Sequence, residues 1–197
     1  MSFLENTRSP AGLGGRLMVR MMNVGHRALA RWGLRFLPLS ADAKVLDCGC
    51  GGGANIRTLL KKSPQGIVKG VDCSEVSVTT ARRVNRSAIA DGRCAVWQGS
   101  VDELIFAADW FDAVTAFETV YFWPDLQKSF REIRRVLRPG GTLLICNECS
   151  GDTPGDEAWT KKIAGMRIYS ADQLQQQLEQ AGFCKLQIHK TPRWLCL

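Results

Sequence analysis

The residues best suited to chemistry lie in one short stretch, VLDCGCGGGANI, at positions 45–56. Here Asp47 stands two residues before the first of three alternating glycines, Gly49, Gly51 and Gly53. Glycine has no Cβ and tolerates positive φ, so such a loop can bring backbone N–H groups close to a ligand. The loop could bind a nucleotide in this way. Since it also holds two cysteines, it could instead be a metal knuckle, or it could be merely a tight turn.

The cysteines argue against a metal site. Cys48 and Cys50 alternate within the loop, and Cys146 and Cys149 form a lone C-x-x-C, but no second such pair or histidine cluster completes four zinc ligands. The N-terminus lacks an export signal, so we expect the eight cysteines to stay reduced, without disulfides. We predict no bound metal.

Two aspartates indicate which ligand the loop would take. Asp47 would repel a pyrophosphate but suits a ligand that bears an ammonium and a sulfonium. A dinucleotide dehydrogenase would also prefer the spacing G-x-G-x-x-G. Asp72 ends the next predicted strand, 25 residues beyond Asp47, where a carboxylate can accept both hydroxyls of a ribose.

The elements that position these residues alternate between strand and helix. Apolar or β-branched runs predict strands at 44–48, 66–72, 94–98, 111–117 and 142–147, with helical patterns between them. After a last helix, strands at 183–189 and 193–197 are separated by three residues, which permits only an antiparallel hairpin. The sequence predicts an α/β fold with a doubly wound, mostly parallel seven-stranded sheet, helices on both faces and an antiparallel C-terminal hairpin strand.

Four ordered stretches resemble the class I S-adenosylmethionine-dependent methyltransferases. VLDCGCGGG resembles the D-x-G-x-G-x-G loop of that family, and GVDCS at 70–74 resembles its acidic second-strand end. GSVDELIF at 99–106 resembles the segment after the third strand. The stretch 111–145 resembles the fourth strand, its helix and the R-P-G-G turn into the fifth. The resemblance covers about residues 42–197.

The resemblance implies S-adenosylmethionine as cofactor and S-adenosylhomocysteine as product. Asp47 would lie near the methionine ammonium, directly or through water, and Gly49 and Gly51 would let the backbone approach methionine and ribose. Cys50 stands where the family often has cysteine. Asp72 would hold the ribose hydroxyls, with a plain helix N-cap neighbour as the alternative.

Further cofactor contacts follow from the same resemblance. Cys73 would lie against the adenine, with Ser100 and Val101 flanking it. The family often has aspartate in place of Ser100, so this contact is expected to be weaker or water-mediated, or Ser100 is a turn residue only. Phe117 and Glu118, ending the fourth strand, would border the reactive methyl, although Glu118 could instead be a solvated loop acid.

His26, Glu118 and Tyr121 are the candidate catalytic residues. A general base is needed only if the acceptor enters protonated. His26 could act as that base, form the pocket wall or lie on the helix surface. Tyr121 opens the run Tyr121-Phe122-Trp123, which could stack a flat acceptor or plug the fold beneath the next helix.

We expect a single domain over residues 1–197. Within it, the family resemblance and the sequence pattern separate an N-terminal helical cap at 1–41, a cofactor-binding core at 42–147, a candidate lid at 148–168 without a regular helix, and a C-terminal helix and hairpin at 169–197. A helical pattern runs from residue 14 to 36, interrupted by two glycines.

The chain is 45% apolar and 23% charged with a net charge of +7, as expected for a soluble globular protein. No apolar run reaches the roughly 18 residues of a membrane span, so we expect a cytoplasmic location. The positive charge is concentrated in a stripe of arginines before residue 38. The stripe could be a solvated face, attract an acidic small substrate or a lipid surface, or contact RNA.

The sequence therefore predicts a methyltransferase that acts on a small-molecule acceptor. An RNA methyltransferase and a non-catalytic S-adenosylmethionine-binding protein are the alternatives. An NAD(P)-dependent oxidoreductase is disfavoured by Asp47 and by the reversed final strand. The acceptor atom and the oligomeric state are not predicted.

Overall fold

The computed structural model describes residues 6–153 and 155–197. Residues 1–5 of the predicted cap lie outside the described residues. The N-terminal pattern forms two helices, α1 at Gly12–Gly25 and α2 at Arg27–Gly33, which meet at His26. The glycine at the end of α1 thus interrupts the predicted helix, and α2 packs on the sheet.

Seven strands form one sheet. They are β1 at Lys44–Cys48, β2 at Ile67–Asp72, β3 at Cys94–Gln98, β4 at Phe111–Phe117, β5 at Leu137–Asn147, β6 at His189–Lys190 and β7 at Leu195–Cys196. Their spatial order is β3-β2-β1-β4-β5-β7-β6. All neighbouring pairs from β3 to β5 are parallel, and β7 is antiparallel to both of its neighbours. The predicted fold class is confirmed.

Helices cover both faces of this sheet. They are α3 at Ala54–Lys62, α4 at Glu75–Val84, α5 at Arg86–Ala90, α6 at Leu126–Val136, α7 at Asp156–Lys162 and α8 at Ala171–Gln180. Two buried apolar clusters lie on opposite sides of the sheet, one with α6 and α8 and the other with α2, α3 and α4. Within the described ranges, no helix is long and apolar enough to cross a membrane.

Three boundaries differ from the predictions. The helical pattern between the strands predicted at 66–72 and 94–98 forms two helices, α4 and α5, that meet at Asn85, whose side-chain amide donates to the backbone oxygens of Gly53 and Ala81. Strand β5 begins at Leu137 rather than at residue 142, because Leu137 already pairs with Phe111. The expected lid at 148–168 was predicted to lack a helix, which is wrong. Helix α7 forms there, with acidic residues in its first turn and lysines in its last.

The closing hairpin forms with shorter strands than predicted. Thr191 and Trp194 close its turn by a backbone hydrogen bond of 2.9 Å. Beside it, Cys146 of β5 lies opposite Cys196 of β7, with their Sγ atoms 3.1 Å apart. The hairpin thus extends the sheet beyond β5, and Cys146 is buried within this packing.

Candidate functional site

A cavity of about 510 Å³ lies at the carboxyl ends of the parallel strands, where the strand order reverses between β1 and β4. Such switch points are where α/β sheets bind ligands. Every predicted site residue except Asp47 lines this cavity: Gly49, Cys50, Gly51, Asp72, Cys73, Ser100, Val101 and Phe117 for the cofactor, and His26, Glu118 and Tyr121 for the acceptor. The sheet therefore brings both predicted sets together.

The glycine loop after β1 has the backbone that only glycine adopts readily. Gly49, Gly51 and Gly53 have φ values of 67°, 51° and 76°. A Cβ on Gly49 would lie 2.0 Å from Oγ1 and 2.6 Å from Cβ of Thr119. The loop is fastened to β2 because the amides of Gly49 and Cys50 both donate to Val71 O. Its shape is thus fixed by backbone contacts.

Asp72 joins that loop to the next helix. Its Oδ2 accepts from the Gly51 amide at 2.8 Å, and its Oδ1 accepts from the Ser74 amide at 2.9 Å. Burial raises the pKa of this carboxyl, while the two amide bonds oppose the shift. Asp72 is both a neighbour of the Ser74 N-cap and a wall of the cavity, so the two roles suggested by the sequence are compatible.

Asp47 lies beneath the loop and does not line the cavity. It is 1% exposed; the Thr115 hydroxyl donates to its Oδ1 at 2.7 Å, and its Oδ2 has no hydrogen-bond partner among the described residues. Burial raises the pKa of Asp47 to about 7, opposed by the Thr115 bond and supported by the charge of Asp72. An unpaired carboxylate in this position favours a cation nearby.

The remaining cofactor candidates form the wall beside β2 and β3. Cys73 is exposed and Val101 is buried. The Ser100 hydroxyl donates to a carboxylate oxygen of Asp102, so it is already engaged within its own turn. Phe117 is buried at the end of β4. The wall thus offers apolar surface, with few free polar groups, for a flat ligand.

Glu118 follows β4 with a left-handed backbone, φ 58°, which is uncommon for a residue with a side chain. The Tyr121 hydroxyl donates to its Oε1 at 3.1 Å, and the Glu148 amide donates to the same oxygen. Burial raises the pKa of Glu118 to about 8; the bond from the Glu148 amide opposes this shift, and the charge of Glu148 adds to it. This carboxyl can therefore exchange a proton near neutral pH.

His26 completes a three-residue cluster with Glu118 and Glu148. One ligand atom from each lies within 4.8 Å of the other two. Burial lowers the pKa of His26, and the charge of Glu148 opposes that shift. The cluster brings three titratable side chains together, and its donor types are also those of a divalent-cation site. That the chain binds no metal stays a prediction.

The aromatic run Tyr121-Phe122-Trp123 shows both predicted roles, a wall for the acceptor and a plug beneath the next helix. Tyr121 is 2% exposed, its hydroxyl accepts from the Cys149 amide at 2.9 Å, and burial raises its pKa. Trp123 packs edge-on against Phe130 and donates to Thr119 Oγ1, so it acts as a plug. Phe122 remains on the cavity wall, where it can meet a ligand.

The segment after β5 closes one side of the cavity. Trp159 and Ile163 of this segment are lining residues. Asp156 is buried and accepts from the Thr153 hydroxyl and the Gly151 amide. The Arg167 amide donates to Tyr121 O at 2.9 Å. The segment is therefore bonded both within itself and to the core.

The sequence prediction missed three residues of the site. Thr119 limits the space over Gly49, Asn23 donates to Gly52 O at 3.2 Å, and Glu148 joins the cluster with His26. Glu148 was predictable in part, because it directly follows β5 at the same sheet edge as Glu118. Nothing in the sequence pattern indicated the other two.

Comparison with known proteins supports this arrangement. The chain is 33% identical to cycloartenol-C-24-methyltransferase of Arabidopsis thaliana over 130 residues, 66% of this chain and 38% of that protein. It is 31% identical to 27-O-demethylrifamycin SV methyltransferase of Amycolatopsis mediterranei over 152 residues, 74% of this chain and 56% of that protein. The matches thus span only part of each relative's length.

A solved structure gives the same fold. An S-adenosylmethionine-dependent methyltransferase from Aquifex aeolicus superposes with a TM-score of 0.76 at 18% identity, covering 92% of this chain and 95% of that one. The methyltransferase domain family model matches residues 46–145, from β1 to β5. This match covers just over half of the chain, and the resemblance drawn from the four sequence stretches is confirmed: the chain belongs to the methyltransferase domain family.

Proposed function

We propose that the protein is an S-adenosylmethionine-dependent methyltransferase acting on a small-molecule acceptor. The observation that carries this proposal is that one cavity is lined both by the glycine loop with Asp72 and by Glu118 with His26. A cofactor side and a proton-accepting side within one cavity are what methyl transfer to a protonated acceptor needs.

The residues of the loop fit the cofactor. Close backbone approach at Gly49 and Gly51, the carboxylate of Asp72, and the unpaired Oδ2 of Asp47 suit a ligand with a ribose and a positive charge. When bound, S-adenosylmethionine would supply a methyl group that passes to the acceptor by in-line displacement, with S-adenosylhomocysteine as the leaving thioether. Cys50, Cys73, Ser100, Val101 and Phe117 supply the wall on which the rest of the cofactor would lie.

Glu118 is the proposed proton acceptor. Because its pKa is about 8, this carboxyl group is ionised and able to take a proton from an acceptor at mildly basic pH. The Tyr121 hydroxyl donates a hydrogen bond to this carboxylate, and a ring nitrogen of His26 lies within 4.8 Å of it. We propose that Tyr121 positions Glu118, since its hydroxyl is bonded and its side chain is almost fully buried.

The small-molecule class is supported by the cavity and by relatives. Phe122 and Trp159 give the acceptor side an apolar wall. Two relatives are named for a sterol and for a rifamycin. A geranyl diphosphate C-methyltransferase of the same fold was crystallised with S-adenosyl-L-homocysteine, at 20% identity and a TM-score of 0.68.

We also propose a role for each of four segments of the chain. Residues 1–41 would cap the cavity, 42–147 would bind the cofactor, 148–168 would act as a lid, and 169–197 would complete the sheet. The contacts of α1 with α4 and of Arg167 with Tyr121 support the cap and the lid. A cytoplasmic location remains part of this proposal.

A methyl-transfer assay with radiolabelled S-adenosylmethionine tests the proposal. The purified chain is offered a total lipid extract, a water-soluble metabolite fraction and total RNA in separate reactions. We expect label in one of the first two pools, and Glu118→Gln should reduce it. Label only in RNA would mean that the acceptor is RNA and not a small molecule. S-adenosylhomocysteine binding without label in any pool would favour the non-catalytic alternative.

A further inference from the structure

Helix α1 has apolar residues on two opposite faces. One face buries Gly15, Met18 and Val19 against the protein. The other carries Leu13, Leu17, Met21 and Val24, which are 82%, 53%, 54% and 58% exposed. At about 100° per residue, these four side chains fall within one stripe of roughly a quarter turn. A soluble surface helix normally has charged residues on that side, so this exposed stripe is unusual.

Basic residues flank the stripe and acidic ones are missing. Arg16 and Arg20 lie on the turns of α1 directly beside it, and Arg27 and Arg31 continue on α2; all four are exposed. Between residues 6 and 41 the sequence contains six arginines and no aspartate or glutamate. A partner that covers the stripe must therefore offer apolar surface to the stripe and negative charge to the arginines beside it.

This combination selects among the occupants that could cover the stripe. A second copy of the chain, packed through the same stripe, would bring the arginines of two molecules together with no carboxylates to offset them. Nucleic acid would neutralise the arginines but offers no apolar surface to the leucines and Met21. An anionic lipid bilayer satisfies both, because acyl chains take the apolar face and headgroups take the arginines.

The cavity lies on the side of α1 opposite the exposed stripe. Met22 and Asn23 of α1 line the cavity, and His26 stands at the C-terminal end of the same helix. Trp159, which is 43% exposed, lines the cavity from the opposite segment. We propose that α1 binds in the plane of an anionic membrane surface, which holds the cavity about 10 Å, one helix diameter, from a lipid-soluble acceptor. This deepens, and rests on, the proposed methyltransferase function.

Vesicle co-sedimentation of the full chain tests the proposal. We expect binding to vesicles of phosphatidylcholine mixed with phosphatidylglycerol and little binding to phosphatidylcholine alone. The double change Leu17→Glu with Met21→Glu should lower partitioning more than about 100-fold, because it places two charges in the apolar face. Arg16→Ala with Arg20→Ala should lower it about 25-fold, since each basic residue near an anionic surface contributes about fivefold.

Ile105→Glu is the matched control, since Ile105 is 67% exposed and lies on the loop after β3, away from α1. It should leave partitioning unchanged. Absence of binding to anionic vesicles, or binding equally reduced by Ile105→Glu, would overturn the proposal. So would a concentration-dependent dimer that Met21→Glu abolishes, or binding to RNA that the Leu17 and Met21 changes leave intact.

Calorimetric titration with S-adenosylhomocysteine separates this proposal from the one on which it rests. The stripe faces away from the cavity, so the α1 variants should bind S-adenosylhomocysteine as the wild type does. Cofactor binding without vesicle binding would refute the docking surface alone. Loss of cofactor binding in the wild type would refute the methyltransferase function.

Discussion

The two sides of the cavity are built in different ways. The side proposed for the cofactor comes mostly from one continuous region, from β1 to the turn after β3. Its loop is shaped largely by backbone: three glycines with positive φ, and amides that donate to Val71 O and Asp72. The side proposed for the acceptor is made by side chains from three distant segments, which contribute His26, Glu118 and Glu148. Local sequence thus determines the first, whereas only the assembled sheet determines the second.

The largest expected effect comes from adding a methyl group to the cofactor loop. Gly49→Ala would place a Cβ within 2.6 Å of the Thr119 Cβ and at a φ that alanine disfavours. We expect S-adenosylhomocysteine affinity to fall at least about 100-fold, with a loss of about 3 kcal/mol in unfolding free energy. Calorimetry and urea denaturation measure the two effects.

Gly92→Ala is its matched control. Gly92 has φ 72°, but no atom lies within 4 Å of the added Cβ. It should lose only about 1 kcal/mol from the backbone strain and bind the ligand normally. Equal loss of binding in both variants would mean that the loop geometry is not specific to the cofactor side.

The next largest effect concerns the acceptor side. Glu118→Gln keeps the shape but removes the proton acceptor, so methyl transfer should fall about 100-fold or more while S-adenosylhomocysteine affinity changes little. Rates in the radiolabel assay should rise with pH toward the pKa of about 8. Exposed Glu103→Gln is the control. An unchanged rate or a flat pH profile would remove Glu118 from the proposed chemistry.

Sequence reasoning succeeded where a pattern is local. The five parallel strands and the loop glycines were predictable, because local spacing and residue type specify them. The cluster of His26 with Glu148 was not, since 122 positions separate the two in the sequence. The exposure of the α1 stripe was also hidden, because apolar residues around a helix do not reveal which face is buried.

Asp47→Asn tests the one predicted residue that lies outside the cavity lining. The change removes a buried charge whose folded pKa is about 7 against an ordinary 3.8. Because the folded state holds this proton more tightly, wild-type stability decreases as pH rises between those values. The variant should be about 2 kcal/mol more stable at pH near 8, yet bind S-adenosylhomocysteine about tenfold more weakly.

Thermal unfolding across pH measures the change in stability, and calorimetric titration measures the change in S-adenosylhomocysteine affinity. Asp112→Asn is a useful comparison, since Asp112 is a partly exposed strand carboxylate paired with Arg138 and bonded to the Lys44 amide. That change should destabilise and leave affinity unaltered. A destabilised Asp47→Asn with unchanged affinity would mean that Asp47 serves only the fold.

The smallest effect is expected at Ser100. Its hydroxyl is engaged by Asp102, so Ser100→Ala should change S-adenosylhomocysteine affinity by less than about threefold, equivalent to about 0.6 kcal/mol. A competition titration resolves a difference of that size. A tenfold loss of affinity would instead mean that the Ser100 hydroxyl bonds directly to the ligand.

Calorimetric titration of the wild-type chain with S-adenosylhomocysteine and, separately, with NAD tests most directly which cofactor the glycine loop binds. We expect saturable binding of S-adenosylhomocysteine and none of NAD, because Asp47 places a buried carboxyl group beneath the glycine loop, where it disfavours a pyrophosphate. Asp72→Asn should weaken that binding. Saturable binding of NAD without heat from S-adenosylhomocysteine would contradict the account.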